Sequence, residues 1–373
     1  MDAIMTPTGP SISDELLIRA RKLHGECVVI DTHVDTTQRM LDPAWRFDER
    51  HEFGHVDLPR LGEAGIDAAF FAVWAKGPIE PEQAVDAARQ QLRALHETAG
   101  RFSNRIVLAR TADEVRAAKR QGKFAMLIGI EGGYLIGDSL ERLREYHANG
   151  AGYMTLTHSF HTSWADSSGV HEDLAPLHGG LTAFGRQVVR EMNRLGMIID
   201  VSHAADSTFW QVIETTTAPV MATHSSCRAV CPHRRNLTDE MMKAIASTGG
   251  TVQINFAAAF LDPAYPAPDA KAIYDFLARG GQFPRNPFTT HATSFHRLVD
   301  HFDHALQTVG PDHVGIGSDF DGIPAVPEGM EDCARLPYLT AALLERGYNY
   351  EHLRKVLGGN VLRVMQACEM SAR

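Results

Sequence analysis

The 373-residue chain is predicted to be an α/β protein, a (β/α)8 TIM barrel with inserted loops and extra helices. Three observations predict it. Short apolar runs recur along the chain, as parallel strands buried on both faces require. Helical patterns separate most of them, the alternation of a parallel α/β fold. Eight such units favour a closed barrel over an open sheet. No linker, internal repeat or low-complexity tract divides the chain, so residues 1–373 are read as one domain.

Taken in order, Ser13-Asp14-Glu15 followed by Leu16, Leu17, Ala20 and Leu23 reads as a capped amphipathic helix. It leads into the first strand, Cys27 to Asp35. From Thr36 to Gly65 no clear period survives, and a long loop is expected. The second strand is Ala68 to Trp74, followed by a helix from Pro81 to Thr98 with proline near its start. Ile106 to Ala109 is strand-like but ends in nothing chemical, so it is read as peripheral. A charged helix, Ala112 to Gln121, follows it. The third main strand, Phe124 to Ile130, closes on Glu131, and the fourth, Tyr153 to Thr157, on His158. The fifth, Met197 to Ser202, closes on His203, and the sixth, Pro219 to Thr223, on His224. The seventh is Gly250 to Phe256, and the eighth, Val314 to Ser318, closes on Asp319. Helices are expected at 139–148, 181–195, 204–214, 239–247, 291–309, 338–346 and 351–369.

Composition narrows the function. The chain is 44% hydrophobic and 22% charged, ordinary for a protein with a large core. A formal charge of −10 argues against the basic face that nucleic acid would need. Cys227 and Cys231 are four apart, which is not a Cys-x-x-Cys site, and all five cysteines are read as reduced thiols. Met1 to Ser13 lacks the basic and apolar regions of a signal peptide, and no apolar run approaches the ~18 residues of a membrane span. A cytoplasmic address without a membrane partner is the expectation.

The chemistry is concentrated at the strand ends. His33 and Asp35 are two apart on a strand, so both point to one side of it. In a barrel the C-terminal ends of all strands surround one mouth. His33, Asp35, Glu131, His158, His203, His224 and Asp319 would therefore converge although they span residues 33 to 319. Carboxylates crowded there would repel one another, and divalent cations supply the missing positive charge. Imidazoles with carboxylates suit Zn2+, while Mn2+, Co2+ and Fe2+ also fit by ligand type. The two oxygens of Glu131 could bridge a metal pair ~3.5–4 Å apart. His51, His55, His96, His147 and His301 are expected in solvent.

With those segments in view the chain resembles the renal (membrane) dipeptidase family, a branch of the amidohydrolase superfamily. The resemblance is carried by Ile30-Asp31-Thr32-His33-Val34-Asp35, Gly129-Ile130-Glu131-Gly132-Gly133 and Tyr153-Met154-Thr155-Leu156-Thr157-His158-Ser159. It continues through Asp200-Val201-Ser202-His203, Thr223-His224-Ser225-Ser226, Arg234-Arg235-Asn236 and Val314 to Gly322. It implies two zinc ions bridged by Glu131 and a water or hydroxide, one held by His33, Asp35 and Glu131, the other by Glu131, His203 and His224. By the same resemblance that water is the nucleophile, Asp319 carries its proton to the leaving amine, and His158 stabilises the oxyanion. Arg235 would clamp the substrate carboxylate. The implied substrates are dipeptides, including those with a C-terminal D-residue, and relatives often form homodimers.

Two departures bear on specificity. Phe256-Ala257 stands where several relatives place a tyrosine beside the substrate, and the loop from Ala257 to Thr290 is long enough to act as a lid or pocket wall. Other readings stay open here. A deaminase, a lactonase or a further amidohydrolase would keep the barrel and metals, and a non-catalytic metabolite-binding barrel would keep the fold alone.

Overall fold

The computed structural model describes residues 12–77, 79–170, 174–266 and 291–372. Helix α1 (Asp14–Glu26) is capped by the Ser13 hydroxyl, which accepts from the Leu16 N–H at 3.3 Å. It precedes β1 (Ile30–Val34), α2 (Leu58–Ala64), β2 (Ala68–Val73) and α3 (Pro81–Arg101). Next come β3 (Ile106–Leu108), α4 (Ala112–Arg120), β4 (Phe124–Glu131), α5 (Leu140–Ala148) and β5 (Ala151–Thr155). Then α6 (Ala183–Leu195) leads to β6 (Ile198–Asp200), α7 (Asp206–Thr215) to β7 (Val220–Ala222), and α8 (Asp239–Ser247) to β8 (Thr251–Ile254). The chain finishes with α9 (Ala258–Leu261), α10 (Phe295–Val309), β9 (Val314–Ile316), α11 (Leu336–Glu345), α12 (Tyr350–Arg354) and α13 (Asn360–Ser371).

The strands pair in the order β1-β2-β4-β5-β6-β7-β8-β9, every pair parallel. Just past the strand ends, Asp319 N–H donates to His33 O at 3.0 Å and Asp35 N–H to Phe320 O at 2.8 Å. These bonds bring the last strand against the first, so the eight strands form a nearly closed (β/α)8 barrel. As expected, β3 is peripheral: it pairs only with the first three residues of β4. Every residue of β2 and β4 is buried, which is why these strands read as unbroken apolar runs.

Four details differ from the sequence reading. Several strands are only three residues long, because the chain turns away where the polar strand-end residues begin. The stretch 36–65 contains α2, started by Asp57, whose side chain accepts from the Arg60 N–H at 2.9 Å. Helix α10 starts at Phe295 rather than 291. The expected helix 351–369 is broken at Lys355–Gly359, where a Cβ on Gly358 would stand 2.4 Å from Val28 O beneath β1.

The five cysteines are free thiols, four of them buried. No helix among the described residues is long and apolar enough to cross a membrane. His301 corrects an expectation: it is fully buried, accepting at Nδ1 from the Cys227 N–H at 3.0 Å and lying 3.1 Å from Leu261 O at Nε2. It sits three residues after Leu298 and four before Ala305, on the apolar stripe of α10.

Candidate metal centre

Six of the eight barrel strands deliver one or two side chains each to the barrel mouth. His33 lies within β1 and Asp35 just after it, and Glu131 is the last residue of β4. His158, His203, His224 and Asp319 follow the ends of β5, β6, β7 and β9 by two or three residues. All seven predicted residues come together. Glu131 Oε1 is 3.5 Å from His33 Nε2, 3.6 Å from His158 Nε2, 3.2 Å from His203 Nε2 and 3.4 Å from His224 Nε2. Asp35 Oδ2 lies 3.5 Å from His33 Nε2 and Asp319 Oδ1 3.9 Å from it.

These spacings can be tested against a cation. Two ligand atoms bonded to one zinc at about 2.0–2.1 Å with tetrahedral angles stand about 3.3 Å apart. The imidazole–carboxylate distances fall close to that value. His33 Nε2 and Asp35 Oδ2 are buried without a hydrogen-bond partner among the described residues, as atoms reserved for a cation would be. Donor type and geometry therefore both fit a metal. Three overlapping groups meet the condition: His33, Glu131 and His224; Glu131, His158 and His203; and His33, Asp35 and Asp319.

The backbone is bent to make this cluster. Among the described residues, three non-glycine positions have positive φ: His203 at 65°, Asp319 at 64° and Asp321 at 69°. Such conformations cost of order 1–3 kcal/mol each and gather at functional sites. Gly322 completes the turn, since a Cβ there would stand 2.1 Å from Asp35 Oδ2 and 2.7 Å from Asp319 Oδ1.

A second ring of polar groups aims the first. The Tyr153 hydroxyl lies 2.8 Å from His33 Nδ1, so the Nε2 edge faces the cluster. Asp31 Oδ1 accepts the His33 and Ser318 N–H groups at 3.1 and 2.9 Å, tying β1 to the end of β9. Asn255 Nδ2 donates to Asp319 Oδ2 at 2.8 Å and leaves Oδ1 toward the cluster. Asp200 bonds Thr155, Ser202 and Thr223.

Electrostatics follows from burial. Burial, with repulsion from Glu131, raises the Asp35 carboxyl. Burial also lifts Asp319 to about 6, the pull of His224 opposing it and Asp35 adding to it. Burial alone would raise Glu131, but the pull of His158 and His33, with the ring edges of His203 and His224 at 3.2 and 3.4 Å, holds it well below the usual carboxylate range. His158, His203 and His224 are all pushed down by burial. Neutral imidazoles are the form that binds metal.

Arg235 is only 3% exposed, and its guanidinium lies 5.5 Å from the centre of the Phe260 ring. Its Nη2 donates to His224 O at 3.2 Å and its Nη1 reaches Ser225 Oγ at 3.4 Å. It makes no ion pair among the described residues, and burial lowers its pKa to about 10. The mouth opens into a cleft of about 270 Å³ bordered by Asp35, Glu131, His158, His203 and Asp319. Its apolar wall includes Trp74, Phe160, Phe260 and Tyr265, which the sequence reading did not single out. Phe256 packs on Phe320 in the core with ring centroids 5.5 Å apart, and Ala257 reaches the cleft. Of the expected lid, residues 267–290 lie outside the described residues.

Comparison with known proteins agrees with this arrangement. The profile of the family described as membrane dipeptidase (Peptidase family M19) matches residues 17–373. Dipeptidase verJ of Clonostachys rogersoniana is 32% identical, over 96% of this chain and 89% of its own. Dipeptidase aclJ of Aspergillus oryzae is 36% identical, over 87% of this chain and 73% of its own. Among solved structures, the probable dipeptidase PvdM of Pseudomonas aeruginosa superposes with a TM-score of 0.81 at 26% identity, covering 96% of this chain and 99% of that one. A metallo peptidase from Rhodobacter sphaeroides, liganded with a phosphinate mimic of the dipeptide L-Ala-D-Ala, gives 0.79 at 29% identity, covering 92% and 99%. With its barrel, its strand-end cluster and a match along nearly its whole length, the chain belongs to the membrane dipeptidase family, Peptidase family M19.

Proposed function

We propose that this chain is a binuclear zinc dipeptidase, hydrolysing dipeptides to free amino acids and accepting a D-residue at the C-terminal position. The observation that carries the reading is Glu131 Oε1, surrounded by four imidazole Nε2 atoms at 3.2–3.6 Å. A carboxylate so placed is suited to share two cations, with His33 and Asp35 on one side and His203 and His224 on the other. Zinc bound there would polarise the scissile carbonyl and lower the pKa of the attacking water.

The protein's own groups do the rest. Asp319, its Oδ2 held by Asn255, takes a proton from the attacking water at Oδ1 and delivers it to the leaving amine. His158, one side of which borders the cleft, donates from Nε2 to the oxygen of the scissile carbonyl as charge builds on it. Arg235 lacks a carboxylate partner among the described residues and receives the C-terminal carboxylate of the substrate. The aromatic wall of the cleft takes the substrate side chains and sheds water as they enter. Acceptance of a D-residue is supported by the L-Ala-D-Ala mimic bound to the Rhodobacter relative.

The test is a panel of L,L and L,D dipeptides, each with its C-terminal amide, assayed on protein of measured metal content. Metal-dependent cleavage of the free acids is expected. Turnover of lactones or amino-purines in their place would overturn the reading in favour of another amidohydrolase chemistry.

A further inference from the structure

The imidazoles at the mouth are not equally constrained, and the difference lies in a buried hydrogen-bond chain starting at Asp200. This residue closes β6 and is completely buried. Its Oδ1 accepts the N–H groups of Ser202 and Thr223, both at 2.9 Å. Its Oδ2 accepts the hydroxyls of Thr155 and Thr223, both at 2.6 Å. Thr223 Oγ1 also lies 2.8 Å from His224 Nδ1. A hydroxyl has one proton, and Thr223 directs its proton at Asp200. Toward His224 it can therefore only accept, which requires the ring hydrogen to sit on Nδ1. Nε2 is then bare, and it is the atom 3.4 Å from Glu131 Oε1.

The neighbouring rings have no carboxylate-backed hydroxyl of this kind, although His203 Nε2 lies 2.9 Å from His224 Nε2 and, with that atom bare, is the donor between them. His203 Nδ1 is buried with no hydrogen-bond partner among the described residues. His33 Nδ1 faces the Tyr153 hydroxyl, which can donate as readily as accept.

We propose that Asp200, acting through Thr223, is a positioning residue that keeps the hydrogen of His224 on Nδ1 and its Nε2 open to a cation. This rests on the metal-centre reading above and adds to it the group that prepares one ligand before any metal arrives. A hydrogen on Nε2 would occupy the direction in which the cation must bind.

Asp200→Asn is the informative substitution. Two backbone N–H groups face Oδ1, so the amide oxygen must take that place and the amide nitrogen must face the two hydroxyls. The nitrogen then donates to Thr223 Oγ1, whose proton is freed to point at His224 Nδ1. Every hydrogen bond can still be made, yet the ring hydrogen moves to Nε2. Thr223→Val removes the hydroxyl at nearly constant shape, and Thr223→Ser retains it. Thr155→Val deletes an equivalent bond to the same Asp200 oxygen without touching His224.

The experiment is titration of each metal-free variant with Zn2+ against a competing chelator, with thermal unfolding of the same samples. D200N and T223V should bind one of two zinc equivalents about 10–100-fold more weakly. T223S should bind like wild type, and T155V should lose thermal stability while keeping wild-type zinc affinity. Equal weakening in T155V and T223V would overturn the proposal, because the effect would then come from general support of the strand ends. Wild-type affinity in D200N, or in T223V if D200N fails to fold, would also overturn it. A wild-type chain that takes up no zinc would overturn the metal centre itself, and the relay with it.

Discussion

Replacing Arg235 by methionine should leave the protein about as stable and make it a much worse peptidase. The guanidinium is 3% exposed, has no carboxylate partner among the described residues, and is held by two long contacts, 3.2 Å to His224 O and 3.4 Å to Ser225 Oγ, and by the Phe260 ring 5.5 Å away. Burial lowers its pKa from the ordinary guanidinium range to about 10. That displacement corresponds to roughly 3 kcal/mol of penalty on the charged form. Because the folded value lies below the unfolded one, the penalty is fully present at neutral pH and fades only as the pH rises through 10. Methionine removes it and loses two hydrogen bonds and the contact with the Phe260 ring, worth about 1 kcal/mol each. The balance is close to zero, so Tm should move by no more than roughly 1–2 °C for a chain of this length. Function changes far more. Loss of a buried charge-assisted contact to the substrate carboxylate costs about 2–5 kcal/mol, so kcat/KM should fall from about 30-fold to several thousand-fold. The assay compares one dipeptide with its C-terminal amide. Wild type should prefer the acid strongly and R235M should scarcely distinguish them. An equal loss on acid and amide, or a Tm lowered by several degrees, would refute the assignment of Arg235 to the carboxylate.

Other consequences can be measured on the same preparation. Asp319→Asn should lower kcat by about 10²–10⁴-fold while zinc content stays at the wild-type level; loss of zinc instead would make Asp319 a ligand rather than a proton carrier. Gly129→Ala would set a Cβ 2.1 Å from Cζ of Tyr153, whose ring is wedged against Phe70 at 5.0 Å. Overpacking of about 1–3 kcal/mol should lower Tm by roughly 1–4 °C and weaken zinc binding as the hydroxyl leaves His33, whereas an unchanged Tm would mean the ring has room. His24 and His301 are both pushed by burial to about 4, below the unfolded value of 6.5. Between those values the unfolded chain binds more protons, so stability is complete above the unfolded pKa and falls as the pH drops from 6.5 toward 4. Each residue contributes up to about 3 kcal/mol of that loss, and His24→Gln should flatten the denaturant-derived curve of stability against pH.

Much of the cluster was legible in the sequence for one physical reason. Parallel strands buried on both faces admit few polar side chains except at their ends, so His33, Glu131, His158, His203, His224 and Asp319 stand out against apolar runs. The supporting groups did not stand out. Tyr153 sits inside a strand and reads as core until its hydroxyl is seen 2.8 Å from His33, a residue 120 positions earlier. Asp31 and Asp200 look like strand-end punctuation, because their partners come from other strands. His301 could have been found, since it falls on the apolar stripe of its helix. The start of α2 was signalled by Asp57-Leu58-Pro59, a capping residue followed by proline in the first turn. The Gly358-Gly359 pair marked the break before α13, where the backbone passes under β1. The cleft wall was hidden for another reason: Trp74, Phe160 and Tyr265 belong to three different loops, and no local pattern unites them.

The central claim is that Glu131 and its ring of imidazoles hold two cations on which peptide hydrolysis depends. Its most direct test is elemental analysis and dipeptidase assay on one sample, taken through chelation and stepwise return of Zn2+. Metal and activity should vanish together, and activity should return in proportion to zinc and level off at two equivalents per chain. Full activity in protein carrying no metal would contradict it.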